Sequence, residues 1–299
     1  MTPPTRRDFL GAALAAAALA PQAFSQGSPV TATKLADNFT LITGAGSNVL
    51  ALTTPDGVAL VDNVDAAHTA ELLKLVLGPV KLAFNTHWHW DHTGSNEAVR
   101  KAGAKLIAHE NTKLWLGAEI DCTWQNRTYE PRPPGALPSE TIYTSGKTTF
   151  GGQAIQYSVM PQAHTDGDLY IHFPAANILM AGDVVSSGTY PVLDFTTGGW
   201  INGMLAGQAA LLKLADKDTK IVPGSGPVLT KADLQFQSDT LTTIRDRLMK
   251  LLKSGVTPKE MVAAQPTKEW DEKWGSPDQF ILNAYRGLWG HVRELGGIV

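Results

Sequence analysis

Short apolar runs alternate with turn residues from residue 39 onwards. The first three runs are Phe39–Thr43, Asn48–Leu52 and Val58–Asp62. Aliphatic and β-branched runs bounded by Gly, Pro and Asp predict strands joined as hairpins. A helical pattern at 66–77, the apolar run Val80–Phe84 and a strand-like run at 105–108 follow. This alternation of strands and helices predicts an α/β fold.

The second half of the chain repeats the strand pattern and then becomes helical. Strand-like sequence resumes from Thr141 to Met160 and continues in Leu169–Phe173 and Asn177–Ala181. From Lys231 to Lys253 apolar residues recur at helical spacing, and a further helical pattern runs from Pro277 to Leu295. The chain therefore contains two strand-rich halves and a helical tail.

Residues 122–140 separate the two halves. Prolines at 131, 133, 134 and 138 interrupt any regular element there, so the sequence predicts a long loop of the kind that often lines a site. Arg127 and Arg132 in this segment could hold a substrate carboxylate, and solvated loop charges explain them as well.

The stretch from His87 to His92 reads His-Trp-His-Trp-Asp-His, which places three imidazoles and a carboxylate within six residues. It follows the apolar run Val80–Phe84 and precedes Gly94-Ser95-Asn96, whose small polar side chains suit the start of a helix. Sites in α/β folds commonly lie where strands end. Imidazole and carboxylate groups bind transition metals, so this stretch predicts a metal-binding loop.

Two further metal-ligand candidates occupy strand ends downstream. His164 lies just ahead of one predicted strand, and Asp183 follows another in the sequence Ala-Gly-Asp. With the six-residue stretch, these motifs resemble those of the metallo-β-lactamase-fold superfamily, from the hairpins near Val58 to Pro227. The resemblance implies a four-layer αββα sandwich at 27–230, with a C-terminal helical segment at 231–299 packed on the same domain.

The resemblance implies a first metal site made of His87, His89 and His164. Three neutral imidazoles and one open position are the usual ligands of catalytic zinc, which lowers the pKa of bound water from about 15.7 to about 7. We therefore expect one firmly bound zinc ion, whose hydroxide attacks the substrate. Asp62 matches a carboxylate close to the family's ligands and is expected to orient them.

A second metal site would include Asp91 and His92, with Asp183 bridging the two metals. Its last ligand is missing, because Ser225 stands between two glycines where the family has a histidine. A serine hydroxyl binds zinc weakly, so we interpret Ser225 as a vestigial ligand and expect the second zinc to be weak or absent. Asp91 is the expected catalytic residue, which orients the nucleophile or handles its proton.

Aromatic residues accompany these motifs. Trp88, Trp90, Trp124 and Trp200 are candidates for the wall of a substrate pocket, and ordinary core packing explains them as well. Four other histidines stand apart from the motifs and are assigned to structural roles: His68, His109, His172 and His291.

The chain begins with a pattern typical of export. Arg6 and Arg7 precede an alanine-rich apolar run that ends at Pro21, in the form of a twin-arginine signal peptide. The run is shorter than the roughly 20 residues that span a bilayer. We expect cleavage of residues 1–26, periplasmic localisation by the twin-arginine route, and no stable membrane insertion of the mature protein.

Composition narrows the class of protein. The chain is 43% hydrophobic and 18% charged, with a net charge of -3, which is ordinary for an enzyme and does not favour a nucleic-acid partner. A small-molecule substrate is the expected partner. Cys122 is the only cysteine, so an internal disulfide is excluded.

Three functions are consistent with these residues. The leading hypothesis is a periplasmic zinc-dependent hydrolase of a small amide, lactone or ester, similar to β-lactamases, although the fold also supports thioester, phosphate-ester and sulfate-ester chemistry. A mononuclear-iron oxidoreductase similar to persulfide dioxygenases would use His87, His164 and Asp183. The third is a non-catalytic member that binds a ligand or a metal in the old cleft, and it is motivated by the serine at position 225 where the family has a histidine.

Overall fold

Two β-sheets face each other in the structure, a computed structural model that describes residues 30–291. The expected signal peptide at 1–26 lies outside these residues. The strands are β1 (Thr31–Ala36), β2 (Phe39–Ala45), β3 (Ser47–Thr54), β4 (Gly57–Val61), β5 (Val80–Phe84), β6 (Lys105–His109), β7 (Ile120–Cys122), β8 (Arg127–Tyr129), β9 (Glu140–Ile142), β10 (Gly146–Phe150), β11 (Gln153–Val159), β12 (Leu169–Phe173), β13 (Ile178–Gly182) and β14 (Lys220–Pro223). The helices are α1 (Thr69–Leu75), α2 (Trp90–Thr93), α3 (Asn96–Lys101), α4 (Glu110–Leu116), α5 (Ile201–Leu214), α6 (Lys231–Lys253), α7 (Pro258–Ala263), α8 (Lys268–Trp274) and α9 (Asp278–Gly290).

The two sheets have mixed topology. The first sheet has the order β1-β2-β3-β4-β5-β6-β9, antiparallel up to β4 and parallel from β4 to β9. The second has the order β10-β11-β12-β13-β14, and only its last pair is parallel. The predicted hairpins after residue 38 are therefore the strands β2 to β4.

Three apolar clusters hold the layers together. The cluster between the sheets includes Phe84 and Phe173, both fully buried. A second cluster joins the outer face of the first sheet to α1 through Leu72, and a third joins the second sheet to α5, α6 and α9. Burial of apolar surface at about 25 cal/mol per Å² makes these clusters the main source of stability. The resulting αββα order confirms the predicted four-layer sandwich.

The C-terminal helices form as the apolar spacing predicts. Helix α6 spans Lys231–Lys253 and buries Leu241, Ile244 and Leu248 against the third cluster. Thr230 begins it with a capping box, in which its hydroxyl and the Asp233 carboxylate each bind the other residue's backbone N–H. The pattern predicted from Pro277 becomes helix α9, which packs beside α5 and α6.

Within residues 30–291, every helix falls short of the length and apolar character needed to cross a bilayer.

The prediction of an irregular loop at 122–140 is wrong for the first third of this segment. Strand β8 pairs antiparallel with β7, and Cys122 lies opposite Arg127 at the closed end of this two-stranded ribbon. The prolines begin only at Pro131, so they do not prevent pairing at 127–129. From Pro131 to Ser139 the described chain has no strand, as the prolines predict.

Candidate metal centre

Loops at one edge of the sandwich carry the candidate ligands. Asp62 follows β4, and the loop with His87 and His89 follows β5. Because β4 and β5 are parallel, their carboxyl ends meet at the same edge of the sheet. In the second sheet, Asp183 follows β13, and His164 lies in the loop that leads into β12. The fold therefore gathers residues that are up to 121 positions apart in the sequence.

Four of these residues form a group that can hold a metal ion. One ligand atom from each of His87, His89, His164 and Asp183 lies within 4.8 Å of the others. The three histidines are buried, whereas the Asp183 side chain is 26% exposed. Its Oδ2 atom lies 3.8 Å from Nε2 of His87 and 3.6 Å from Nε2 of His164. The group is thus accessible from the aspartate side.

Hydrogen bonds fix how two of the imidazoles are oriented. Nδ1 of His164 lies 2.8 Å from the Val192 carbonyl oxygen, and Nε2 of His89 lies 3.1 Å from Oδ2 of Asp194. A carbonyl and a carboxylate only accept, so these two ring nitrogens donate. In the neutral rings, Nε2 of His164 and Nδ1 of His89 then carry lone pairs, and these two atoms are 3.0 Å apart.

The third imidazole is fixed in the same way. The Thr86 hydroxyl donates to Oδ2 of Asp62 at 2.7 Å, so it accepts from Nδ1 of His87 at 3.0 Å. The Nε2 atom of His87 is left buried without a hydrogen-bond partner. Burial, followed by the nearby imidazoles, holds the pKa of His87 well below its usual range. His87 is therefore a neutral ring with an unsatisfied lone pair.

A metal cation fits this arrangement. Lone pairs that face each other at 3.0 Å repel, and an unpartnered buried nitrogen costs about 1–3 kcal/mol. A zinc ion bonded to nitrogen at about 2.0–2.1 Å in a tetrahedral site would place two nitrogens about 3.4 Å apart, close to the separation observed. The donors, three imidazoles and a carboxylate, suit a transition metal.

A second group lies on the other side of Asp183. Nδ1 of His92 donates to Oδ2 of Asp62 at 2.9 Å. Nε2 of His92 lies 3.5 Å from Oδ1 of Asp183 and 4.0 Å from Oδ2 of Asp91. Burial opposes charge on His92, but Asp183, Asp62 and Asp91 together hold its pKa well above the usual range. The predicted members of the second site are therefore adjacent, and His92 balances three carboxylates.

Ser225 lies in an exposed turn beside this second group. Asn48 holds the turn, because its side-chain amide donates to the carbonyl oxygens of Pro223 at 2.9 Å and Gly226 at 2.8 Å. A Cβ atom on Gly224 would lie 1.7 Å from Oδ1 of Asp183. The turn therefore approaches the Asp183 carboxylate so closely that a larger residue at position 224 would displace this side chain or the turn.

Asp194 is the functional residue that sequence reasoning missed. Its carboxylate accepts hydrogen bonds from His89, from Nε1 of Trp124 at 2.9 Å and from the Thr197 hydroxyl at 2.7 Å. Although burial raises the pKa of Asp194, the bond from His89 and the other donors lower it to about 2. The only sequence signal is an acidic residue inside the apolar run Pro191–Phe195, which is too weak to identify a metal-site residue.

Replacing Asp194 with asparagine should weaken metal binding about 10- to 100-fold, as loss of a carboxylate behind a ligating histidine typically does. Four groups donate to this side chain, so the asparagine NH₂ would face donors and His89 would lose its fixed orientation. Competition with a chromophoric chelator measures the affinity. Asp218→Asn, at an exposed position, is the matched control. Equal affinities for the two variants would contradict this role of Asp194.

The structure separates the four candidate pocket tryptophans. Trp88 and Trp90 line a cavity of about 250 Å³ next to the metal loop. Trp124 and Trp200 do not line it, because Trp124 binds Asp194 and Trp200 stacks on His291 with ring centroids 3.9 Å apart. The histidines assigned to structural roles lie outside the metal group: His68, His109, His172 and His291.

Comparisons with known proteins agree on one family. Residues 42–226 match the sequence profile described as the Metallo-beta-lactamase superfamily. The Bacillus cereus protein named Metallo-beta-lactamase type 2 is 28% identical over 200 residues, which cover 65% of this chain and 73% of that protein. The protein named Linear primary-alkylsulfatase of Pseudomonas sp. (strain ATCC 19151) is 22% identical over 288 residues, covering 79% of this chain and 54% of the alkylsulfatase.

A solved structure extends the similarity of fold. The stereoselective inverting sec-alkylsulfatase from Pseudomonas sp. superposes with a TM-score of 0.67 at 15% identity, covering 86% of this chain and 50% of that protein. The chain thus spans about half the length of these two alkylsulfatases and most of the length of the lactamase.

Proposed function

The chain belongs to the metallo-β-lactamase superfamily, and from this membership and the geometry of the metal centre we propose that it is a zinc-dependent hydrolase. Its substrate is a small amide, lactone or ester, similar in class to a β-lactam. Sulfate esters and thioesters are the next classes to test, because relatives include proteins named as an alkylsulfatase and an acyl-coenzyme A thioesterase. The N-terminal twin-arginine pattern supports a periplasmic site of action.

One observation carries this proposal. The buried nitrogens of His87, His89 and His164 converge, and each ring's other nitrogen is held by a hydrogen bond. A protein that binds only an organic ligand would have no reason to keep three lone pairs converging beside a carboxylate, and the partial exposure of Asp183 leaves this group open to a substrate. An iron centre of His87, His164 and Asp183 alone would leave the equally well-aimed His89 without a role, so the zinc hydrolase is favoured.

Several residues of the chain have separate roles in the proposed hydrolysis. When bound, zinc supplies Lewis-acid polarisation of a substrate oxygen and an acidified water at neutral pH. His87, His89 and His164 hold the ion, and Val192 and Asp194 keep two of these rings oriented. In this proposal Asp91 orients the nucleophile or accepts its proton at a carboxylate that is 18% exposed.

Elemental analysis of the exported mature protein, combined with turnover assays, tests the proposal. The panel contains a β-lactam, a lactone, a carboxylic ester, a thioester and an alkyl sulfate. We expect bound zinc and hydrolysis of at least one amide, lactone or ester, with loss of both after chelation. Iron in place of zinc, with oxygen consumption on a persulfide, would overturn the proposal in favour of an oxidoreductase.

Replacing Ser225 with histidine should raise the zinc content from about one to about two ions per chain. The new imidazole would stand in the turn beside Asp183, next to His92 and Asp91, and would supply the ligand that the second site lacks. Elemental analysis on protein dialysed at matched zinc concentrations measures the change, with Ser225→Ala as the control. Two zinc ions already in the unmodified protein would refute a weakened second site.

A further inference from the structure

A cavity of about 250 Å³ lies against the metal loop, between α2, α4 and the β7–β8 ribbon. Aromatic side chains and two guanidinium groups make up much of its wall: Trp88, Trp90, Trp115, Tyr129, Arg127 and Arg132. This combination of apolar surface and positive charge is unusual for ordinary core packing.

The cavity shares a wall with the metal centre. The ring of Trp88 packs edge-on against the His89 ring with centroids 4.5 Å apart, and against Tyr129 at 5.2 Å. Trp90 directly precedes Asp91, whose carboxylate faces the second metal group. The cavity is therefore separated from the His89 ring by the Trp88 side chain, and it lies beside the residue that precedes Asp91.

Arg127 is a positioned cation at the cavity wall. Its guanidinium lies over the Tyr129 ring at 4.4 Å and over the Trp90 ring at 5.3 Å. In residues 30–291, the arginines that form ion pairs are Arg245 and Arg247, so Arg127 is not among the ion-paired arginines of the described chain. Stacking on two rings restricts the guanidinium before any ligand arrives, which lowers the entropy lost on binding.

Arg132 contributes an unused donor. Its terminal nitrogen donates to the Gly94 carbonyl oxygen at 3.3 Å, which holds the side chain against the end of α2. Its Nε atom is buried and has no hydrogen-bond partner. Glu130 is the single carboxylate among the lining residues, so the two arginines leave the wall with a net charge of +1. An anionic oxygen in the cavity would balance this excess charge.

We propose that this cavity binds a carboxylate-bearing apolar arm of the substrate, with Arg127 and Arg132 as the residues that select for the negative charge. This inference rests on the proposed hydrolase and defines its substrate class further. The substrate is an amide, lactone or ester whose arm has a flat or aliphatic body and ends in an anion. The aromatic walls contact the body, and the guanidinium groups contact the anion.

A binding experiment tests the cavity without requiring catalysis. Titration calorimetry compares 3-phenylpropionate with 3-phenylpropionamide, which differ in charge and share a ring. We expect the anion to bind at least 10-fold more tightly, and Arg127→Gln and Arg132→Gln each to remove most of this preference. Arg245→Gln, an arginine on α6 outside the cavity, is the matched control.

Three outcomes of the titration would overturn the inference. They are equal binding of anion and amide, binding in Arg127→Gln equal to that in Arg245→Gln, and anion binding that chelation of the metal abolishes. The last result would place the carboxylate on the metal and not in the cavity.

A turnover experiment separates this inference from the proposed function. It compares 4-nitrophenyl hexanoate with the mono-4-nitrophenyl ester of adipic acid, which adds a terminal carboxylate. We expect kcat/KM at least 10-fold higher for the charged ester, and Arg127→Gln to lower the ratio of the two kcat/KM values. Hydrolysis of both esters without preference would overturn the cavity inference and leave the hydrolase standing. Charge-selective binding with neither ester cleaved would support the cavity and count against hydrolysis of esters.

Discussion

Replacing His164 with alanine is expected to lower hydrolysis by on the order of 10³-fold and zinc affinity by more than about 100-fold. The substitution removes one of the three converging lone pairs. It also removes the hydrogen bond to the Val192 carbonyl oxygen that orients the His164 ring. Two imidazoles and a carboxylate would remain, and the rearranged ion would lose the open geometry on which hydrolysis depends. Chelator competition and kcat/KM on the substrate found by the panel measure the two losses.

Thermal unfolding distinguishes loss of the metal from loss of the fold. Zinc binding should raise the Tm of the unmodified protein, because a ligand that binds only the folded state stabilises it. The Tm of His164→Ala should not respond to zinc. Its metal-free Tm should stay near that of the metal-free parent, because the substitution also removes the repulsive 3.0 Å contact between the lone pairs of His164 and His89. His172→Ala, on β12 outside the metal group, is the control. An undiminished zinc response in His164→Ala would show that His164 is not a ligand.

Replacing Gly224 with alanine is the second large expected effect. The added Cβ would lie 1.7 Å from Oδ1 of Asp183, so either that carboxylate rotates away from both metal groups or the turn moves. The 2.8 Å hydrogen bond from Gly224 N–H to the Gly182 carbonyl oxygen would be strained in either case. We expect zinc affinity to fall about 100-fold and the free energy of unfolding to fall by about 2 kcal/mol.

Chelator competition and urea unfolding test this prediction. Gly290→Ala is the matched control, since no atom lies within 4 Å of the added Cβ there and the residue is exposed in α9. If Gly224→Ala binds zinc as tightly as Gly290→Ala, the close approach to Asp183 has no role in the metal centre.

Features set by local spacing could be predicted from the sequence. The loop from His87 to His92 could be recognised as metal-binding because its ligand groups are adjacent in the chain. Helix α6 has the predicted bounds, since a capping Thr230 precedes an uninterrupted apolar stripe. The order of strands and helices predicts an α/β fold, and the resemblance to the family implies the four-layer sandwich; both are confirmed.

Features that depend on distant contacts could not be predicted. Asp194 reaches His89 across 105 positions, and neither neighbour of Asp194 in the sequence is a ligand. The β7–β8 ribbon consists of two three-residue strands, too short to show an alternating pattern. The sequence around Arg127 does not show whether this arginine lies in a solvated loop or at the wall of a cavity. Its stacking on Trp90 appears only once the chain is folded.

Asp62 serves both halves of the metal centre at once. One of its carboxylate oxygens accepts from the Thr86 hydroxyl that orients His87 and also from the ring of His92. Substitutions in the two groups therefore have unequal effects. A change at position 225 leaves the hydrogen bonds of Asp62 intact. A change at His92 removes a donor from Asp62 and thereby loosens Thr86 and the ring of His87 on the other side. His92 is thus a structural support of the first group as well as a member of the second.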